Sequence, residues 1–156
     1  MTEPQTKLWY LSHINLFKEL PENILKEIAE TSRMKDYQKG SYISTPQTEA
    51  GEFVYFQKKG EVEVYESTED GRKIIIDILQ PGDIFGYTSA VSGSENIRAQ
   101  QFVRASKDAT ICTMPKQDFL TLLEKKPDLA LKLIKELSIK LTTTESKLRD
   151  TALSDM

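Results

Sequence analysis

The chain has 156 residues, of which 38% are hydrophobic and 29% charged, with a formal net charge of -3. These values are typical of a globular domain with its own core, and they argue against a basic nucleic-acid surface within these residues. The single histidine, His13, disfavours a multi-ligand metal site, and the single cysteine, Cys112, allows no internal disulfide. The apolar stretches are too short to span a membrane. These features fit a cytoplasmic protein with no contact to a membrane.

The N-terminal region has apolar residues at helical spacing, which predicts helix over residues 8–33. The apolar positions are Leu16, Phe17, Leu20, Ile24, Leu25 and Ile28. Pro21 interrupts the pattern, because proline lacks the amide hydrogen that a helix interior uses. We therefore expect two short helices hinged at Pro21.

From about residue 35, segments rich in valine, isoleucine and aromatic residues predict β-strands. Turn signals separate them at Lys39-Gly40, Lys59-Gly60, Asp70-Gly71, Pro81-Gly82-Asp83, Ser92-Gly93 and Lys107-Asp108. The "EDG" at 69–71 predicts a hairpin, and "ATICTMP" at 109–115 predicts the last strand. So many short strands in succession indicate an antiparallel sandwich, barrel or roll.

The C-terminal region returns to helical spacing, with a short helix in "KQDFLTLLEKK" and a helix of about 24 residues after Pro127. Its apolar stripe has steps of four and three and consists of Ala130, Ile134, Leu137, Leu141, Thr144 and Leu148. This spacing is typical of a two-helix seam, which favours a homodimer through the helix at 128–150. The alternative is an amphipathic helix packed within one chain. Leu129, Leu133 and Leu131 lie off the stripe and are expected to pack back on the β-region.

The order of these features has a known parallel. Helices are followed by "GEFVYFQKKGEVEVYE" at 51–66, by "PGDIFG" at 81–86, by a loop that contains an arginine, and by a long helix. This set resembles the sensor half of the cyclic-AMP receptor protein/FNR family over residues 10–153. The most specific marks are Gly60, Gly71 and Gly82-Asp83-x-x-Gly86. The resemblance implies a mainly β fold with flanking helices: an antiparallel double-stranded β-roll of the cyclic nucleotide-binding type plus a long C-terminal dimerisation helix.

The resemblance also implies a domain organisation. The N-terminal helices and the β-roll sensor would occupy residues 1–125, the dimerisation helix 126–153, and the start of a hinge 154–156. The family's DNA-reading helix-turn-helix has no counterpart here, so we expect DNA contact only through a domain absent from these residues. The chain is either part of a longer regulator or a stand-alone sensor.

Two further functions compete with an effector-sensing and dimerisation domain of a transcription regulator. The first is a stand-alone cyclic nucleotide-binding module that acts through protein partners. The second is an enzyme on a β-roll or cupin-like scaffold, which the single histidine and the lack of a nucleophile–base pair disfavour. We expect a small-molecule effector and no catalytic activity.

The resemblance places seven residues in the ligand pocket: Gly86, Tyr87, Thr88, Arg98, Ala99, Gln100 and Thr144. In cyclic-AMP receptors a glutamate binds the ribose and an arginine binds the cyclic phosphate. Tyr87 stands at the glutamate position, and Ala99 stands at the arginine position. Arg98 comes one residue early, and a one-residue shift in a strand reverses the face unless a bulge intervenes.

Two further positions bear on the pocket. Thr144 matches a threonine that contacts the base in the family, although a polar seam residue also fixes helix register. Asp77 either repels a cyclic phosphate from the pocket wall or is an exposed strand residue. Together with Tyr87 and Ala99, these features predict a pocket altered away from cyclic AMP, with an effector that the sequence does not identify.

Other chemistries depend on single residues. Haem would need an axial ligand, either His13 or a methionine, cysteine or tyrosine, whereas an isolated histidine usually packs and forms hydrogen bonds. An iron–sulfur cluster needs several thiolates, which one cysteine does not supply. Cys112 is predicted to be a small buried hydrophobe rather than a redox thiol. Arg104 is predicted to be a structural or surface residue.

Overall fold

The computed structural model describes residues 3–47, 52–87, 91 and 101–155. The chain forms two compact units, Met1–Thr121 and Leu122–Met156. The helices are α1 (Glu3–Ser12), α2 (Glu22–Thr31), α3 (Lys116–Lys125) and α4 (Pro127–Ser154), with a 3₁₀ turn at Asn15–Phe17. The strands are β1 (Arg33–Tyr37), β2 (Tyr42–Ser44), β3 (Phe53–Lys59), β4 (Val62–Ser67), β5 (Lys73–Leu79), β6 (Ile84–Phe85), β7 (Gln101–Ala105) and β8 (Ala109–Pro115).

The N-terminal helices differ from the prediction of helix over residues 8–33: α1 begins earlier, at Glu3, α2 ends at Thr31, and Arg33 already belongs to β1. Pro21 precedes α2, as expected, but the chain between Ser12 and Pro21 is not α-helical. It forms the 3₁₀ turn instead, which buries Leu16 and Phe17. The prediction of α-helix over these residues was wrong. The apolar residues that suggested a helix are buried by a 3₁₀ turn instead, so their spacing did not require an α-helix.

The eight strands form two four-stranded antiparallel sheets, in the orders β1-β8-β3-β6 and β2-β7-β4-β5. The predicted hairpin connects β4 to β5, where Thr68 donates its amide to Arg72 O at 2.8 Å. The predicted last strand, Ala109–Pro115, is also confirmed. The architecture confirms the predicted antiparallel β-roll with flanking helices.

The first sheet has two buried faces. One lies against the N-terminal helical region, where the rings of Phe17 and Phe56 are 5.0 Å apart. The other faces the second sheet and contributes Phe85, Ala109 and Ile111 to a shared core. The second sheet contributes Val62, Val64, Leu79, Val103 and Ala105 to the same cluster. The alternation of these residues along the strands explains why β-type spacing dominates this part of the sequence.

The C-terminal unit is helical. Pro127 occupies the first turn of α4, where a missing amide hydrogen is tolerated, as predicted. Leu129 and Leu133 are buried, whereas Leu131 is 64% exposed, so the prediction that Leu131 packs inward was wrong. No helix in the described part of the chain is both long and apolar enough to cross a membrane.

Candidate functional site

The turn at Pro81-Gly82-Asp83 is held by backbone hydrogen bonds to β3. Gly82 N donates to Gln57 O, and Gln57 N donates to Asp83 O, both at 2.9 Å. The Asp83 carboxylate accepts the amide of Gln80 at 2.8 Å, and Gly82 O accepts the amide of Asn15 at 3.0 Å. The turn therefore fixes where β6 begins, and it also anchors the 3₁₀ turn that precedes α2.

Gly86 ends β6 at a point where no side chain fits. Its φ is +84°, and a Cβ there would lie 2.7 Å from Phe53 O and 3.0 Å from Cδ2 of Tyr55. The Tyr55 ring is itself stacked on Phe85, with centroids 4.7 Å apart and planes 5° apart. Glycine at this position is therefore required by close approach as well as by backbone conformation.

Tyr87 follows Gly86 directly and is buried, with 8% of its surface exposed. Its position immediately after the glycine turn places it beside the Phe85–Gly86 backbone, at the glutamate position expected from the resemblance. Four other expected pocket residues, Thr88, Arg98, Ala99 and Gln100, lie outside the described residues. Their roles stay predictions.

Asp77 lies on the face of the second sheet that contributes to the core. It pairs with Val64 across β4 and β5, and directly opposed residues project to the same face. Val64 belongs to the core cluster between the sheets, and Asp77 is partly buried. Its carboxylate accepts the amide of Ile78 at 2.9 Å. Of the two interpretations of Asp77, the strand register favours a residue on the inner wall of the roll.

Thr144 is an exposed residue of α4. Its hydroxyl donates to Lys140 O at 2.8 Å, and Thr142 and Thr143 donate in the same way to the carbonyls four residues earlier. These bonds compensate the run of β-branched hydroxyl residues within the helix. The ligand role of Thr144 stays a prediction.

The fold and its motifs have clear relatives. The family model of the cyclic nucleotide-binding domain matches residues 34–126, which include the glycine turns and both sheets except for Arg33, the first residue of β1.

The chain belongs to this family.

Individual relatives agree with this family assignment. The chain is 29% identical over 111 residues to human cGMP-dependent protein kinase 2, which covers 70% of this chain and 14% of the kinase. It is 24% identical over 155 residues to the cAMP-activated global transcriptional regulator CRP of Salmonella typhimurium, which covers 99% of this chain and 63% of the regulator. The chain thus spans less than two thirds of the length of these curated relatives.

A solved structure gives the same fold. The sensor domain of the transcriptional regulator DNR from Pseudomonas aeruginosa superposes with a TM-score of 0.77 at 22% identity. The match covers 92% of this chain and 93% of that domain. The resemblance to regulators of the Crp/Fnr type therefore holds for the fold and for most of the chain.

Arg104 is a structural residue of this cyclic nucleotide-binding domain. Its Nη1 lies 3.5 Å from a carboxylate oxygen of Glu63, and its Nε donates to Gly40 O at 3.3 Å. Lys73 binds the same oxygen of Glu63, which is largely buried. Because Arg104 pairs with Glu63 and donates a hydrogen bond to the backbone at Gly40, the predicted structural role is confirmed.

Neither His13 nor Cys112 has the setting of a reactive centre. His13 is exposed, stacks on Trp9 with centroids 4.1 Å apart, and has Nδ1 2.7 Å from Trp9 O. Cys112 is buried, and desolvation raises the pKa of its thiol to about 11. The thiol is therefore protonated at neutral pH, which agrees with the predicted packing role. Among the described residues, no three histidine, cysteine or carboxylate side chains are placed to hold a metal ion.

The sequence analysis missed two residues that shape this region. Gln57 is fully buried, and its Nε2 donates to Gly60 O at 2.9 Å and to Leu79 O at 3.0 Å, so it links β3 to the end of β5. Tyr55 supports the Gly86 turn through its ring. For Gln57 the signal in the sequence was a polar residue that directly follows the apolar run at 53–56, which does not reveal its partners.

Proposed function

We propose that this chain is the effector-sensing and dimerisation domain of a transcription regulator of the Crp/Fnr type, with a pocket altered away from cyclic AMP. The domain family and the resemblance to CRP over 155 residues support this proposal. The family model describes a binding domain, which supports a regulatory rather than an enzymatic role. DNA binding would reside in a domain outside these residues.

The exposed apolar stripe of α4 is the observation that carries the dimerisation part of the proposal. Ile134, Leu141 and Leu148 are 57%, 62% and 70% exposed, at steps of seven residues along one face. Burying one such side chain contributes about 1.5–3 kcal/mol. A second copy of α4 with the same stripe would bury all of these side chains at once, in a coiled-coil seam.

Leu141→Lys tests the seam. The substitution occurs twice in a dimer and removes two buried leucines, so we expect a loss of at least about 3 kcal/mol, or roughly a 100-fold increase in the dimer dissociation constant. Thr143→Lys is the matched control, because Thr143 lies on the opposite side of α4 and is also exposed. Sedimentation equilibrium would measure both variants. Equal dissociation constants for the two variants would contradict the seam.

The altered pocket is supported by the two described residues that differ from the cyclic-AMP receptor pattern. Tyr87 is a buried phenol where a ribose-binding carboxylate is expected, and Asp77 adds a carboxylate to the inner wall of the roll. A carboxylate near a cyclic phosphate raises the free energy of the complex, since like charges repel strongly in a low-dielectric site. We therefore expect weak or absent binding of cyclic AMP and cyclic GMP.

Calorimetric titration with both cyclic nucleotides tests this expectation. The double variant Tyr87→Glu/Asp77→Ser restores the receptor-type residue at two of the three altered positions and leaves Ala99 unchanged, and it is expected to bind cyclic AMP more tightly than the wild type does. Tight binding of cyclic AMP by the wild type, abolished in Arg98→Ala, would refute the altered pocket and would establish a working phosphate site instead.

In this proposal the effector acts by a population shift. It would bind one arrangement of the dimer more tightly than another and so favour that arrangement. The equilibrium can shift only as far as the difference in affinity allows. Dimer dissociation measured with and without a bound effector would reveal this coupling, and equal dissociation constants for every bound effector would exclude it.

The match to a cGMP-dependent protein kinase favours a second candidate function, a cyclic nucleotide-binding module that acts through a protein partner. A full-length gene product that continues for about 70 residues with a helix-turn-helix pattern would support the first function. Tight cyclic-nucleotide binding by a monomer would support the second.

A further inference from the structure

A cavity of about 1030 Å³ lies in the N-terminal unit, and Tyr55 is one of its lining residues. Its lining comes from the end of α2 and from β1, β2, β3 and β8. Of the residues that the family resemblance assigns to the effector pocket, the three that the structure describes, Gly86, Tyr87 and Thr144, are not part of this lining. It therefore needs its own explanation.

The inner part of the cavity is apolar and aromatic. Tyr37, Ile43 and Tyr55 line it and also pack against the core cluster between the sheets. Phe53, on the same strand as Tyr55, also lines the cavity. Burial raises the pKa of Tyr37 above its ordinary value, which is consistent with a poorly hydrated floor. Such a floor suits a flat apolar group.

The lining also carries two cations on one strand, and Nζ of Lys35 lies 5.1 Å from the centroid of the Tyr37 ring. Arg33 and Lys35 are alternate residues of β1 and share a face of the sheet. Thr113 pairs with both Arg33 and Tyr55, so the arginine and the aromatic floor lie in one row across three strands. Arg33 and Tyr55 are therefore about 10 Å apart across the sheet, a span that one ring-sized ligand covers.

The charges of the rim are unbalanced. Glu30 is the carboxylate among the described lining residues, and it stands against two cations. Within the described part of the chain, neither Arg33 nor Lys35 forms an ion pair. A positive rim on a chain with a net charge of -3 is a local feature that attracts an anion.

We propose that this cavity is a second ligand site, which binds a small amphiphilic anion with its ring against Tyr37 and Tyr55 and its acidic group at Arg33 and Lys35. The anionic group is a carboxylate, sulfonate or phosphate attached to a flat apolar body. Because Tyr55 also contacts the space beside Gly86, a ligand in the cavity adjoins the turn that leads to Tyr87. The site does not depend on the proposed transcriptional role.

Two dyes that differ only in charge provide the test. 8-Anilinonaphthalene-1-sulfonate carries a sulfonate, and N-phenyl-1-naphthylamine has the same ring system without it. In the double variant Arg33→Ala/Lys35→Ala, we expect the affinity for the sulfonate dye to fall about 3- to 30-fold at low salt, since each exposed charge pair contributes modestly. The affinity for the neutral dye should change by less than about twofold, because its ring contacts are retained. Glu30→Gln should strengthen binding of the sulfonate dye.

The control is Lys125→Ala/Lys126→Ala, which removes two positive charges from the other unit and should leave both affinities unchanged. Circular dichroism and thermal melting establish that each variant is folded; the single variants Arg33→Gln and Lys35→Gln give the same test if the double variant is not. Unchanged affinity for the sulfonate dye in the cavity variants would overturn the proposal. An equal loss of both dyes in folded protein would also overturn it, because charge would then not select the ligand.

Discussion

Replacing Gly86 by alanine tests how the glycine turn is built. The matched control is Gly71→Ala in the β4–β5 hairpin. The two glycines have φ values of +84° and +83°, so alanine meets the same backbone penalty at both, about 1–2 kcal/mol. The surroundings differ: a Cβ at Gly71 has no atom within 4 Å, whereas a Cβ at Gly86 lies 2.7 Å from Phe53 O. The difference between the variants therefore isolates the steric contact.

The contact at Gly86 has little room to relax. Phe53 O belongs to the backbone of β3, and the Tyr55 ring is held by its stack on Phe85. Overpacking of this kind typically adds about 1–3 kcal/mol, so Gly86→Ala should lose about 2–5 kcal/mol in total. For a chain of this length each kcal/mol lowers Tm by about 2–4 °C. Urea unfolding and calorimetry would measure both variants, and equal losses of stability would refute the close-approach argument.

The remaining predictions concern buried groups. Gln57→Leu removes two donated hydrogen bonds and should lower the free energy of unfolding by about 2–4 kcal/mol. Gln57→Glu should lower it further at pH 7, and part of this loss should be recovered as the pH falls, because burial raises the pKa of a carboxyl group. Equal urea midpoints for the two variants at pH 7 would contradict this expectation. Cys112 should react slowly with a disulfide reagent at pH 8 in the folded protein and rapidly in urea, and fast reaction in the native state would show that the thiol is accessible. The same thiol has a folded pKa of about 11 against an ordinary value of 9.0, so it stabilises the fold below pH 9 and this contribution is lost as the pH rises towards 11. Cys112→Ala should lessen that alkaline loss in pH-dependent urea titrations.

Turn residues and the spacing of apolar side chains correctly predicted those elements whose structure depends only on residues nearby in the sequence. The "EDG" hairpin, the strand at 109–115 and the proline start of α4 follow from turn chemistry and side-chain period, and the structure has all three. The helical spacing between Ser12 and Pro21 misled the prediction. There, Leu16 and Phe17 are buried by contact with the roll, and the Asn15 amide bonds to Gly82 O, which is distant in sequence.

The ordered set of helices, strands and glycine turns identified the fold from the sequence, because turn chemistry and side-chain period are local properties of the chain. Tertiary structure decided the rest. The sheet face on which Asp77 lies depends on its register with Val64. The cavity forms because β1, which carries its cations, and β3, which carries Tyr55, both pair with β8. Such contacts join residues far apart in the chain, and their selection depends on the whole core rather than on local propensity. The sequence thus determined the scaffold, and the pairing of its strands decided where the charges lie.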